Sequence, residues 1–235
     1  MKWACGLSIL FLLTLVFSSC ERRDIDVFTL EGYLTDEVSG KPVPGVHIRI
    51  DGLKSPSGMG IITDGKRKTA GQAVTDNTGY FKAKLKVFKA AEQLELFINN
   101  NYKEGYAFTK HHISLSGLDR SSKNRVELTL NPTALLKVKF RNANPVSDED
   151  TFRFAYYGSG TGKTSIQGRE NCGTVEESEH FTWTGKDVCG IYILEAVAGY
   201  ETTVYWSVTK NNETKQYHAK VFVERDVLNE FSINY

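Results

Sequence analysis

Tyr80-Phe81-Lys82-Ala83-Lys84-Leu85-Lys86-Val87-Phe88 sets Phe81, Ala83, Leu85 and Val87 in strict alternation with Lys82, Lys84 and Lys86. Successive side chains of an extended strand point to opposite faces, so these nine residues offer one apolar face and one cationic face. A helix would scatter both sets around its circumference. Working outward, the same period returns at residues 43–50, where Val46, Ile48 and Ile50 point one way and His47 and Arg49 the other. Phe28 and Leu30 share a face of a strand through Thr35, and residues 72–75, 94–99 and 126–130 continue the pattern. Residues 52–68 hold four glycines, Pro56 and four basic residues with little periodicity, and read as a long excursion between strands.

Asn131-Pro132-Thr133 breaks the run, and Leu136-Lys137-Val138-Lys139-Phe140 restarts it. Further strands are expected at 151–157, 180–184, 190–197, 202–209, 216–224 and 228–234, with a hairpin loop at Lys210-Asn211-Asn212-Glu213. No stretch keeps a helical period, apart from a short turn near Ala90-Ala91-Glu92. The expectation is all-β, with two tandem β-sandwiches over residues 27–131 and 132–235.

The 235 residues open on a leader with one charge, Lys2, an apolar run from Ile9 to Phe17, and the small residues Ser18 and Ser19 before Cys20. The run is too short to span a bilayer, so residues 1–19 read as a cleavable signal peptide. The leader resembles the lipobox of bacterial lipoproteins, although Phe17 stands where leucine is usual. That resemblance implies a diacylglyceryl group on the Cys20 thiol, joined by an N-acyl chain of the palmitate kind, with residues 20–26 as the lipidated tether. One acyl chain holds a protein only marginally, whereas this set anchors it stably. The expected location is the outer membrane, with the periplasmic face and the cell surface both left open.

Beyond the leader the 28 basic and 28 acidic residues balance to zero, which argues against capture of nucleic acid or of an anionic bilayer. Cys5 leaves with the leader. Cys172 and Cys189 remain as an even pair in an exported chain, and are expected to form a disulfide, with two free thiols or half a metal site as alternatives.

Gly32-Tyr33-Leu34-Thr35-Asp36, then Ser39-Gly40-Lys41-Pro42-Val43-Pro44-Gly45-Val46, then Thr75-Asp76-Asn77-Thr78-Gly79-Tyr80-Phe81 form a recurring pattern. It resembles the carboxypeptidase regulatory-like, or transthyretin-like, domain found at the N-termini of Bacteroidetes envelope proteins. The resemblance covers roughly residues 28–130. It implies a β-sandwich that is usually a non-catalytic accessory, which speaks to fold more than to activity. The second half resembles nothing more specific than an immunoglobulin-like sandwich.

Catalytic signals are weak. Gly158-Ser159-Gly160-Thr161-Gly162-Lys163-Thr164 has Tyr157 where a phosphate-binding loop needs glycine, and Ser165-Ile166-Gln167-Gly168 reads as a polar loop rather than a helix. His111 and His112 are adjacent, so on a strand they would face opposite sides and could not chelate one ion, and His180 sits near Glu177 and Glu179 on a solvated face. Asp148 with Asp150 and Glu176 with Glu177 read as solubilising loop carboxylates. No metal, cofactor or catalytic residue is assigned, the chain is read as no enzyme, and ligand-binding residues stay unknown. Tyr205 beside Trp206, and Tyr156 beside Tyr157, place one ring of each pair outward. The chain therefore reads as an anchored binding or assembly module for an envelope protein or a glycan. The other reading is a subunit of a fimbria or surface adhesin.

Overall fold

The computed structural model describes residues 25–55, 65–157 and 165–235, and Cys20 and the 158–164 tract lie outside them. Seven strands build the first sandwich: β1 (Ile25–Asp36), β2 (His47–Lys54), β3 (Lys66–Val74), β4 (Tyr80–Phe88), β5 (Gln93–Ile98), β6 (Thr109–Ser114) and β7 (Lys123–Leu130). Eight build the second: β8 (Thr133–Arg141), β9 (Thr151–Tyr157), β10 (Ser165–Asn171), β11 (Thr182–Thr184), β12 (Cys189–Val197), β13 (Glu201–Lys210), β14 (Glu213–Phe222) and β15 (Asn229–Asn234). The fold is all-β, and the only helical segment among the described residues is a 3-10 turn at Leu115–Gly117.

The sheets run β4-β1-β7 and β3-β2-β5-β6 in the first sandwich, β10-β12-β8-β15 and β11-β9-β13-β14 in the second. In each, the first strand is central, pairs antiparallel with one neighbour and takes the last strand in parallel. The two sandwiches thus share one strand order, with β10 added in the second.

Alternation puts the cores where the pattern places them. Phe81, Leu85, Ile48, Ile50 and Leu94 fill the first, and Trp183, Tyr192, Phe140, Phe152 and Phe154 the second. Each such side chain contributes about 1.5–3 kcal/mol by leaving water. The turns behave as their residues dictate: Gly40 (φ 67°) and Gly79 (φ 74°) take left-handed conformations that other residues resist.

Several expected elements shift. β2 begins at His47 rather than 43 and runs on through Lys54, while β3 starts at Lys66, so strands occupy both ends of the expected 52–68 excursion. Ser165–Asn171 is a strand, not a loop, and Thr109–Ser114 is a strand with no advance signal. Both are edge strands, which pair on one side only and carry few apolar residues. β11 shrinks to three residues because His180 (φ 61°) and Phe181 (φ 59°) are left-handed and cannot extend the ladder.

Candidate functional site

The sandwiches meet at a seam built from both. Two residues, Asn131 and Pro132, separate β7 from β8. Their backbone is stitched to each side: Ala107 N donates to Asn131 O (2.9 Å), Thr133 N to Gly105 O (2.9 Å) and Ala198 N to Pro132 O (2.8 Å). Arg225, beyond β14, donates to the Asp36 carboxylate at the end of β1 (2.5 Å) and to the Tyr106 hydroxyl (3.1 Å), with its guanidinium over the Tyr106 ring. The Tyr200 hydroxyl reaches Glu37 (3.4 Å). Gly199 closes the contact, since a Cβ there would stand 2.6 Å from Val38 Cγ2. Nothing in local sequence pairs Arg225 with Asp36, 189 residues away.

Asp36 is 2% exposed. Burial pushes its carboxyl up, but hydrogen bonds from Ser39 and Tyr106 and the Arg225 charge outweigh that and hold it below the usual carboxylate range. With the folded pKa below the unfolded one, the seam's contribution is complete above about pH 4 and is lost as pH falls through the folded value. The expected result is that Asp36→Asn loses stability near neutrality and shows a shallower further loss on acidification than the parent. Urea midpoints at stepped pH measure this, and parallel curves would remove the ion pair from the account.

Cys172 and Cys189 are bonded, with Cα atoms 5.0 Å apart, and Cys172 N donates to Cys189 O. The bridge ties the end of β10 to the start of β12 and stabilises by roughly 3 kcal/mol for a loop of this size. It encloses Trp183, whose indole N–H donates to the Tyr192 hydroxyl (3.0 Å).

The outer sheet faces carry ordered charge. Across β3-β2-β5-β6, register lines up Thr69, Asp51, Glu95 and His112 in one row. Asp51 and Glu95 are directly opposed and buried, which is unfavourable for like charges unless compensated. Compensation comes from Arg49 and Arg67 on Asp51, and from Arg67 and Lys110 on Glu95, with His112 Nε2 3.6 Å from the Glu95 carboxylate. Arg49, Arg67 and Lys110 also lie over the Phe97 ring. On the opposite sheet, Glu31 is buried beneath Lys82, Lys123 and Arg125 and accepts from the Tyr80 hydroxyl (3.0 Å). Burial raises the Glu31 carboxyl, and the Tyr80 hydrogen bond with the three cations brings it below its ordinary value.

The second sandwich presents a cleft of about 580 Å³ on the β11-β9-β13-β14 sheet, lined by Arg153, Ala155, His180, Tyr205, Ser207 and Gln216 among others. Tyr205 faces out beside His218, while Trp206 is half-buried and stacks with Tyr217 at 5.7 Å. The side chains of Tyr156 and Tyr157 lie outside the described residues.

The other candidates fall as follows. His111 and His112 do separate: His112 meets Glu95 outside, and His111 pairs with core Leu96. Glu177 is taken up by Arg169 (3.1 Å), which also covers Phe181. Among the described residues no group of three His, Cys, Asp or Glu side chains is placed to hold a metal ion. Asp150 overturns its reading as a solubilising carboxylate. It is fully buried, accepts from Val146 N, Ser147 N and Asn142 Nδ2, and so pins the loop before β9, with Lys210 nearby on Asn142 Oδ1 (2.9 Å). The signal was legible in part, since Ser147 and Asp150 are the residue types that fold back onto loop N–H groups.

No protein-family model and no curated protein matches the chain. Among solved structures it is similar to shaft pilin SpaA from Lactobacillus rhamnosus GG, at 14% identity and a TM-score of 0.32, over 88% of this chain and 96% of that one. The streptococcal ancillary pilin aligns at 12% identity and a TM-score of 0.37, over 88% of this chain and 62% of that one. The Bacillus anthracis TIE protein aligns at 13% and 0.34, over 89% of this chain and 34% of that one. At these identities and scores the alignments carry no assignment of activity or partner.

Proposed function

We propose that the chain is a lipid-anchored, non-catalytic module of the cell envelope, in which the first sandwich is the anchor-proximal spacer and the second presents a binding or assembly surface. The observation that carries this reading is the leader ending at Cys20, five residues before β1 begins at Ile25. A closed joint supports it: with only Asn131 and Pro132 between the sandwiches and Arg225 locked onto Asp36, the second sandwich is held at a set distance from the tether. Envelope proteins or glycans are the partners this placement favours.

A second reading is a structural subunit of a surface fibre. Two sandwiches of one strand order joined end to end favour it, because the same joint repeated between copies makes a rod. β15, which completes the second sandwich in parallel with β8, would then have to be the strand that is exchanged.

Cys20→Ala is the test of the anchored reading. After a high-salt wash the variant is expected in the soluble fraction, while the parent stays with membranes and needs detergent for release. A variant that still sediments after a high-salt wash without detergent would overturn the lipid anchor, since salt screens a charge contact and leaves an acyl chain in place.

A further inference from the structure

The balanced charge of the exported chain conceals a segregation. Residues 27–131 carry 15 Lys and Arg against 11 Asp and Glu, a net of +4, whereas residues 132–235 carry 11 against 14, a net of −3. On the outer face of the β4-β1-β7 sheet, Lys82, Lys84, Lys86, Lys123 and Arg125 stand exposed. Two acids share that face. Glu31 is buried under the cations, and Glu127 lies opposite Tyr33, toward the seam.

The placement is directional. β1 runs from Ile25 to the seam at Asp36, and Lys86 and Lys84 stand opposite Val27 and Thr29, at the end where the chain enters. Ile25 and Val27 are exposed apolar residues beside them, at 48% and 42%. At the other end of the molecule, β8 leaves the seam and finishes at Arg141, paired with Cys189. The loops and strand ends there carry Asp148, Glu149, Glu176, Glu177, Glu179, Asp187 and Glu213, offset in part by Arg141, Arg169, Lys186, Lys210 and Lys215. The protein is thus basic near its tether and acidic at its far tip.

We propose that the tether end of the cationic β4-β1-β7 face, at Lys84 and Lys86, rests on the anionic headgroups of the bilayer that holds the anchor. The identity of that partner rests on the anchored reading. Four residues separate Cys20 from Ile25, and those five steps of extended chain cover at most about 18 Å, so this end lies close to the headgroup plane. Phosphate charge in the leaflet attracts cations held within about a Debye length and repels the acidic tip. The fields at the two ends of the molecule therefore favour one orientation, with the second sandwich turned away from the membrane. Zero net charge does not prevent this, because a screened field acts on the nearest charges rather than on the total.

The Cys20→Ala protein, which has no lipid, tests this contact separately from the anchor. Phosphatidylcholine vesicles with and without phosphatidylglycerol serve as probes in a flotation assay. Binding is expected only to the anionic vesicles, and is expected to weaken as salt rises. Lys84→Gln with Lys86→Gln should weaken it about 30-fold, the loss of two surface cations against an anionic leaflet. Lys215→Gln with Lys220→Gln on β14 removes equal charge elsewhere and should leave binding unchanged. Equal binding to both vesicle types, or equal loss from both lysine pairs, overturns the proposal. Failure of Cys20→Ala to leave cell membranes at high salt would instead strike the anchored reading.

Discussion

Gly32→Ala is expected to unfold the first sandwich under conditions in which the parent is fully native. Gly32 lies in β1, the strand that pairs with both β4 and β7. A methyl group built there lands on the Val126 carbonyl of β7 and against the Phe81 ring, so the obstacle is largely backbone. A flexible side chain could swing aside. Here β1 or β7 must shift as a whole, and either movement breaks ladder bonds with the strand between the two halves of the sheet. Overpacking alone costs about 1–3 kcal/mol, and adding lost strand pairing brings the expectation to roughly 4 kcal/mol or more. That is a large part of the 5–15 kcal/mol that typically holds a domain together. Urea denaturation followed by circular dichroism reads the effect. Gly117→Ala serves as the control, since nothing lies within 4 Å of a Cβ there. Equal midpoints for the two variants would mean that the close approach of β1 and β7 is wrong.

Trp183→Ala should be the most damaging truncation in the second sandwich. Trp183 is 1% exposed, meets the Phe140 ring edge-on at 5.1 Å and donates to the Tyr192 hydroxyl. Burial raises the Tyr192 phenol well above its ordinary value, so this hydroxyl is committed to the neutral form and to its partner. Removing the indole empties a large volume and strands that hydroxyl. Tryptophan-to-alanine changes in cores cost about 3–5 kcal/mol, which for a domain of about 100 residues lowers Tm by roughly 15–25 °C. Because β11 has three residues and little else to hold it, its pairing with β9 should fray first. Trp206, half-buried at the same sandwich, should cost visibly less on the same change. If the two truncations cost the same, Trp183 is not the centre of this core.

These residues also show how far the sequence could be read. The apolar face of Phe81, Ala83, Leu85 and Val87 became core because alternation is a local property and the sheet obeys it directly. Gly40 and Gly79 were legible as turns for the same reason. Cys172 and Cys189 were legible because a chain read as exported, with two remaining cysteines, leaves few other uses for them. Edge strands β6 and β10 were not, since half their surroundings is solvent and their composition reflects it. The seam was hidden more deeply. Arg225 and Asp36 meet only once both sandwiches are folded and joined, and no spacing rule links positions so far apart. Asp150 looked like a solvated carboxylate because burial is set by the fold and not by its neighbours in sequence. The cationic face was visible as a row of lysines. Its position was not, since only the fold sets Lys84 and Lys86 at the end where β1 begins and carries β8 to the opposite end.

The anchor at Cys20 is the claim on which the account turns, and the intact mass of the protein extracted from membranes tests it most directly. A chain beginning at Cys20, with the added mass of a diacylglyceryl group and one acyl chain, is the predicted result. A chain that begins elsewhere, or that carries Cys20 as an unmodified thiol, would contradict it.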